Sequence, residues 1–181
     1  MKKIPTLFKR DPTNMRNILR EPNPSCQWVI DGEGVATRKY DGTCCLVKDG
    51  ELFKRRELKR DEQVPDGFVV ADYDEVTGKT VGWVHVDAAA SENKWHVQAF
   101  RDTLPDGTYE LVGPKINGNH EHSQEHVLVK HDHTEHYPNA PRTFDGLKEW
   151  LADKDIEGLV WHHSDGRMAQ IKKRDFGLRR N

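Results

Sequence analysis

The sequence predicts an α+β fold in which antiparallel β-sheets are flanked by helices. Three features carry this prediction: short β-prone runs, Asp-Gly pairs that separate most of them, and two segments with helical spacing. In chain order the runs are CQWVI (26–30), TCCLV (43–47), GFVVADY (67–73), TVGWVHV (80–86), TYELV (108–112) and EGLVWHH (157–163). All are rich in β-branched or aromatic residues, which fit a pleated, half-buried surface. Asp-Gly stands at 31, 41, 49, 66, 106, 145 and 165, and this dipeptide tolerates the positive φ of two-residue hairpin turns. SENKWHVQAFRDTL (91–104) reads as a helix with Ser91 as its cap and Trp95, Ala99 and Phe100 on one side. TFDGLKEWLADKD (143–155) reads as a second helix, with Thr143 as cap, Asp145 in the first turn and Phe144, Leu147 and Leu151 at helical spacing.

A length of 181 residues suits one domain with a modest core and a short appendage, the basic segment 1–30. Hydrophobic residues make up 35% and charged residues 32%, so much of the surface is ionic. No run approaches the roughly 18 apolar residues of a membrane span, and no apolar signal core follows the basic start. Cys26, Cys44 and Cys45 form no CxxC pair, which fits a reduced compartment, so the expectation is a cytoplasmic protein without membrane contact. The net charge of −2 conceals three basic stretches, 1–20, 53–60 and 171–180, which together would suit a polyanion.

Two-residue turns at 41–42 and 49–50 would fix the register of a meander over 35–57. Lys39 would then oppose Cys44, and Cys44 would oppose Arg55, so that all three share one face while Arg56 points the other way. A lysine acts as a nucleophile only after losing a proton, which desolvation or neighbouring cations favour, and Arg55 is the first candidate neighbour. Downstream lie two carboxylates at the ends of β-runs, Glu110 and Glu157, and the cations Lys172, Lys173 and Arg174. Two carboxylates can hold Mg²⁺, while lysines and arginines neutralise phosphate charge. This is equipment for phosphoryl or nucleotidyl transfer.

The ordered set KYDG (39–42), ELFKRRE (51–57), YELVGPKING (109–118), EGLVW (157–161) and AQIKKRDFG (169–177) resembles motifs I, Ia, III, IV and V of the covalent nucleotidyltransferases. That superfamily comprises ATP-dependent DNA and RNA ligases and mRNA capping enzymes. Within it, the chain is most similar to the 5'-to-3' RNA ligases, over residues 35–177. The resemblance implies a single nucleotidyltransferase domain, the adenylylation domain of a ligase, over 1–181; because the chain stops just after motif V, the expectation is that no OB-fold domain follows.

It further implies ATP and Mg²⁺ (or Mn²⁺) as cofactors, and RNA with 5'-phosphate and 3'-hydroxyl ends as substrate. RNA would be held by the domain's basic face, the first 30 residues or a partner protein. Lys39 would attack the α-phosphate of ATP and carry the AMP as a phosphoramidate. Asp41 would orient its loop, and Arg55 would bind nucleotide or the acceptor phosphate. Glu110 would contact the ribose or a metal-bound water. Glu157 would be the principal metal ligand, Val160 would lie against the adenine, and Lys172 would neutralise the α-phosphate.

Three departures bear on the assignment. DNA ligases and capping enzymes usually carry arginine five places after the lysine, where this chain has Cys44, which favours RNA ligation over those alternatives. Motif V aligns either as Gln170 with Lys172 or as Lys172 with Arg174, and no aromatic residue close after Glu110 offers a stacking ring. A competing pattern from another class is HSQEH (122–126), in the histidine-rich segment 120–136. It matches the H-x-x-E-H signature of a zinc metallohydrolase that would use His122, Glu125 and His126, and it requires a helix there.

Overall fold

A computed structural model describes residues 2–75 and 77–180. The chain begins with β1 (Phe8–Asp11), β2 (Asn14–Pro22), a four-residue helix α1 (Gln27–Ile30) and β3 (Val35–Lys39). There follow β4 (Thr43–Lys48), β5 (Glu51–Leu58), β6 (Val69–Asp74), β7 (Lys79–His85), α2 (Lys94–Ala99), β8 (Gly107–Val112) and β9 (Val127–Lys130). The last elements are β10 (His136–Tyr137), α3 (Phe144–Ala152), β11 (Gly158–His162) and β12 (Met168–Lys172). The fold is thus mixed, with antiparallel sheets and few, short helices, which is the coarse architecture expected of the sequence.

The described residues group into two compact units. Named for their place in the chain, the central unit holds Asp41–His133 with residues 2–3, and the terminal unit holds Ile4–Tyr40 with 134–180. The central unit is a six-stranded sheet in the order β6-β7-β5-β4-β8-β9. Cys45, Val47, Leu52, Tyr109 and Leu111 line one face and pack with Ala99 of α2 and Val86. The terminal unit carries the four-stranded sheet β10-β3-β11-β12 and the β1-β2 hairpin.

Its core explains the shape of β11. Leu159 and Trp161 alternate into a cluster with Ala36, Ala169, Ile171 and the α3 residues Leu147 and Leu151. Leu7, Phe8, Cys26, Trp28 and Val29 belong to the same cluster, so residues from the basic N-terminal segment help to build this core. Burying a leucine or tryptophan there contributes on the order of 1.5–3 kcal/mol each.

Three local expectations are corrected. CQWVI is not a strand: Asn23 accepts a hydrogen bond from the Ser25 amide and Pro24 opens a 3-10 turn, which feeds α1 and buries Trp28 and Val29. Asp41–Gly42 is not a hairpin turn either. At Asp49–Gly50 both φ values are positive (53° and 75°), as the β4-β5 hairpin requires, whereas Asp41 and Gly42 have no positive φ and the chain runs on into a different sheet. The helix predicted from Ser91 is shorter than expected, with a 3-10 turn at Ser91–Asn93 preceding α2. By contrast, α3 starts at the foreseen cap, where Thr143 Oγ1 accepts from the Gly146 amide at 3.3 Å.

Lys173 is buried, and its Nζ donates to the carbonyls of Ala152 (3.1 Å) and Lys154 (2.7 Å) at the C-terminal end of α3. A cation there satisfies carbonyls that the helix leaves open and complements its dipole. Lys173→Met keeps the stem and removes the donors. Its expected cost is about 1.5–3 kcal/mol, read as a lower urea midpoint at unchanged slope.

Candidate active site

In the terminal unit the face of the sheet turned away from the core carries the chemistry. β3, β11 and β12 pair so that Lys39 lies opposite Gly158 and Gly158 opposite Lys172, while Thr37, Val160 and Gln170 form the next row. Two lysines therefore flank a glycine on one face. A Cβ at Gly158 would overlap the Ile171 carbonyl, so glycine keeps the strands closely apposed at this point.

Glu157, immediately before β11, reaches between the lysines. Its Oε2 accepts from Lys39 Nζ at 2.6 Å and its Oε1 pairs with Lys172 Nζ at 3.0 Å. The three side chains are only 19%, 12% and 18% exposed for Lys39, Glu157 and Lys172, so their electrostatics are weakly screened compared with a surface pair. Two ammonium groups around one carboxylate leave an excess positive charge, which is suited to a phosphate. The sequence led us to expect cations crowding Lys39; what it meets first is a carboxylate, with Lys172 beyond it.

The surroundings hold this arrangement still. Asp175 Oδ2 accepts from the Lys172 amide at 2.9 Å, and its other oxygen accepts from Arg10 Nη1 at 2.7 Å. Val160 is nearly buried, and its carbonyl accepts from Thr37 Oγ1 at 3.2 Å. Of the motif V alternatives, Gln170 shares the Lys172 face but spends its side-chain amide on the Ile4 carbonyl (2.8 Å), whereas Arg174 is exposed in the following 3-10 turn.

The central unit places the remaining candidates. Asp41 Oδ1 accepts from Asn117 Nδ2 at 2.9 Å, Oδ2 bonds His120 Nδ1 at 3.0 Å, and the Asp41 amide donates to Glu121 Oε1 at 2.9 Å. A Cβ on Gly42 would overlap the Leu111 carbonyl, so the Asp-Gly pair serves close approach to β8 and not chain reversal. Asn117 also donates to the Gly42 carbonyl at 2.9 Å, joining the ING stretch to KYDG. Asn117 lies in the YELVGPKING stretch (109–118), where only its place beside Gly118 marks it in the sequence.

Cys44 lies directly opposite Glu110 in the β4-β8 ladder, not opposite Lys39 as the hairpin register predicted. The other half of that register is kept: Cys45 pairs with Lys54, which continues to Cys44 beside Arg55. The Arg55 Nε is buried without a hydrogen-bond partner, while Arg56 donates to Glu62 at 2.9 Å on the surface. Glu110 Oε2 is bonded to His131 Nε2 at 2.9 Å, an interaction that the sequence flagged only as an odd richness in histidine.

The zinc-hydrolase pattern lacks the helix it needs. His122 has a positive φ of 51° and residues 122–126 have no helical structure. His126 is buried, stacked on Trp95 with ring centroids 4.4 Å apart, and bonded through its two nitrogens to Gln98 (2.8 Å) and the Lys115 amide (3.3 Å). Burial, and then Lys115, lower its basicity below that of an ordinary imidazole, and its stacking and hydrogen bonds make it a packing residue.

Among the described residues no helix is long and apolar enough to cross a membrane. A family model described as RNA ligase 1 matches residues 98–181, a stretch that contains Glu110, Glu157, Val160 and Lys172 and begins beyond Lys39. Curated relatives named RNA ligase 1 from Mus musculus and Danio rerio are each 24% identical to the chain, covering 80% of it and 67% of the relative. A third, from Rattus norvegicus, is similar to the same extent, at 24%. These matches show the likeness to RNA ligases that the order of motifs implies.

Proposed function

We propose, from this likeness and from the lysine–glutamate–lysine cluster, that the chain is an ATP-dependent RNA ligase acting in the cytosol through a lysyl-AMP intermediate. The observation that carries the reading is the Glu157 carboxylate shared by Lys39 and Lys172 at 2.6 and 3.0 Å on one sheet face. Lys39 Nζ is the nucleophile. Lys39 Nζ donates to Glu157 Oε2, and its proton leaves by way of that carboxylate to solvent, freeing the lone pair to form the N–P bond as the bond to pyrophosphate breaks. Lys172 lies across the carboxylate, where its charge offsets what develops on the phosphoryl oxygens.

The donor set fits Mg²⁺ in the usual sparing way, Glu157 being one carboxylate to which substrate phosphates and water add the remaining oxygens. Glu157 would hold such an ion, which would supply neutralisation of the phosphate charge. Val160 is proposed as a contact of the adenine. Asp41, fixed by Asn117 and His120, orders the loop after the nucleophile. Arg55 is a proposed contact of phosphate.

The stored AMP is then transferred to an RNA 5'-phosphate, giving a 5'-5' pyrophosphate. The 3'-hydroxyl of a second end attacks that phosphate, and AMP leaves. The test is incubation with ATP labelled at the α- or the γ-phosphorus, followed by addition of 5'-phosphorylated RNA. Acid-stable label from the α-phosphorus only, chased into RNA and released on sealing, is the expected result; label from the γ-phosphorus would contradict it.

Lys172→Ala is expected to slow adenylylation by about 10²–10³-fold, as for an electrostatic donor lost from a secluded site. A single-turnover time course of label uptake measures it.

A further inference from the structure

The geometry points to a thiolate-containing metal site in the central unit, formed by Cys44, Glu110 and His131 and suited to Zn²⁺ or a similar transition-metal ion. One donor atom from each residue lies within 4.8 Å of the others. A tetrahedral zinc ion with sulfur, nitrogen and oxygen ligands sets its donors about 3.3–3.8 Å apart, so closure requires side-chain movements of about 1 Å.

The positions follow from the fold. Cys44 and Glu110 are directly paired across β4 and β8 and present their side chains to the same face. His131 opens the 3-10 turn after β9, the strand next to β8. Thr108, two residues before Glu110 on that face, bonds His131 Nδ1 at 3.0 Å and so directs Nε2 at the Glu110 carboxylate, 2.9 Å away. An outer partner that fixes the ring while the other nitrogen faces the ligand set is the arrangement metal-binding histidines use.

Sulfur and imidazole donors select zinc over magnesium, which prefers oxygen and retains its waters. The site therefore differs in kind from Glu157, and it assigns Glu110 to a soft metal ion in place of the ribose or a magnesium-bound water. Binding breaks the Glu110–His131 hydrogen bond and displaces the Cys44 thiol proton to solvent as the sulfur–metal bond forms. Three protein ligands leave a fourth position for water or an exogenous group. Cys45 is not a ligand: it points into the core and is fully buried.

The test is titration of the metal-stripped full chain with Co²⁺, followed by Zn²⁺. The expected result is a sulfur-to-cobalt charge-transfer band that saturates at one ion per chain. Zn²⁺ removes this band and excess Mg²⁺ does not. Cys44→Ser is expected to abolish it, Cys45→Ser to retain it, and Thr108→Val to retain it with about 10–100-fold weaker binding. A wild-type chain without the band overturns the site whatever the variants do, and so does a band unaffected by Cys44→Ser. Because Lys39→Ala keeps the band, a failure here is distinguishable from a failure of the ligase reading.

Discussion

Lys39→Ala takes up no acid-stable label from α-labelled ATP, at any concentration of nucleotide or divalent cation. Lys39→Arg behaves the same way. The second variant matters because arginine keeps the positive charge beside Glu157 and cannot form the phosphoramidate, so its silence separates a nucleophile from a cation. The geometry makes the loss complete and not partial. Lys172, the other amine on Glu157, stands two strands away from Lys39, with Gly158 between them, so it cannot take the same place relative to the phosphorus. Label in Lys39→Arg comparable to wild type would remove Lys39 from the chemistry.

Glu157→Ala is the second large effect, and it has two parts. Removing the carboxylate leaves two lysines, 19% and 18% exposed, facing one another without the group that pairs them. Breaking a fully buried pair costs about 3–5 kcal/mol; with this residual exposure both ammonium groups can turn partly to water, which places the cost nearer 2 kcal/mol. Adenylylation is expected to fall by at least about 10²–10³-fold beyond what unfolding explains, since the proton-holding and metal-binding carboxylate is gone. Urea denaturation measures the first part and label uptake per folded molecule the second. Glu157→Gln, which keeps shape and one acceptor, should recover most of the stability and little of the rate. Equal recovery of both would make Glu157 a structural residue.

Element type was legible where local chemistry decides it. Thr143 with its helical run, the Asp49–Gly50 hairpin and the β-runs from 43 to 162 all form as their residues suggest. Short segments were less legible because tertiary context overrides propensity in them. Residues 26–30 are β-prone, yet the capped turn before them starts a helix. The hairpin inferred at Asp41–Gly42 failed for a similar reason. Asp-Gly permits a turn but does not require one, and here the pair is held by Asn117, His120 and the Leu111 carbonyl, contacts from some 70 to 80 residues away in the chain.

Within the candidate site, the residue types at 39, 157 and 172 were readable from motif order, and their convergence within one unit follows from β11 lying between β3 and β12. That Glu157 would bridge the two lysines was not readable, because a strand register between segments more than 100 residues apart leaves no local trace. The Glu110–His131 bond joins residues only 21 apart, and it was hidden instead behind a composition with no periodicity of its own.

The most direct test of the central claim is peptide mapping by mass spectrometry after incubation with ATP and Mg²⁺. The account predicts a single added AMP on the peptide containing Lys39, lost when 5'-phosphorylated RNA is supplied. AMP attached to any other residue, or RNA sealing with no adenylylated Lys39 at any stage, would contradict it.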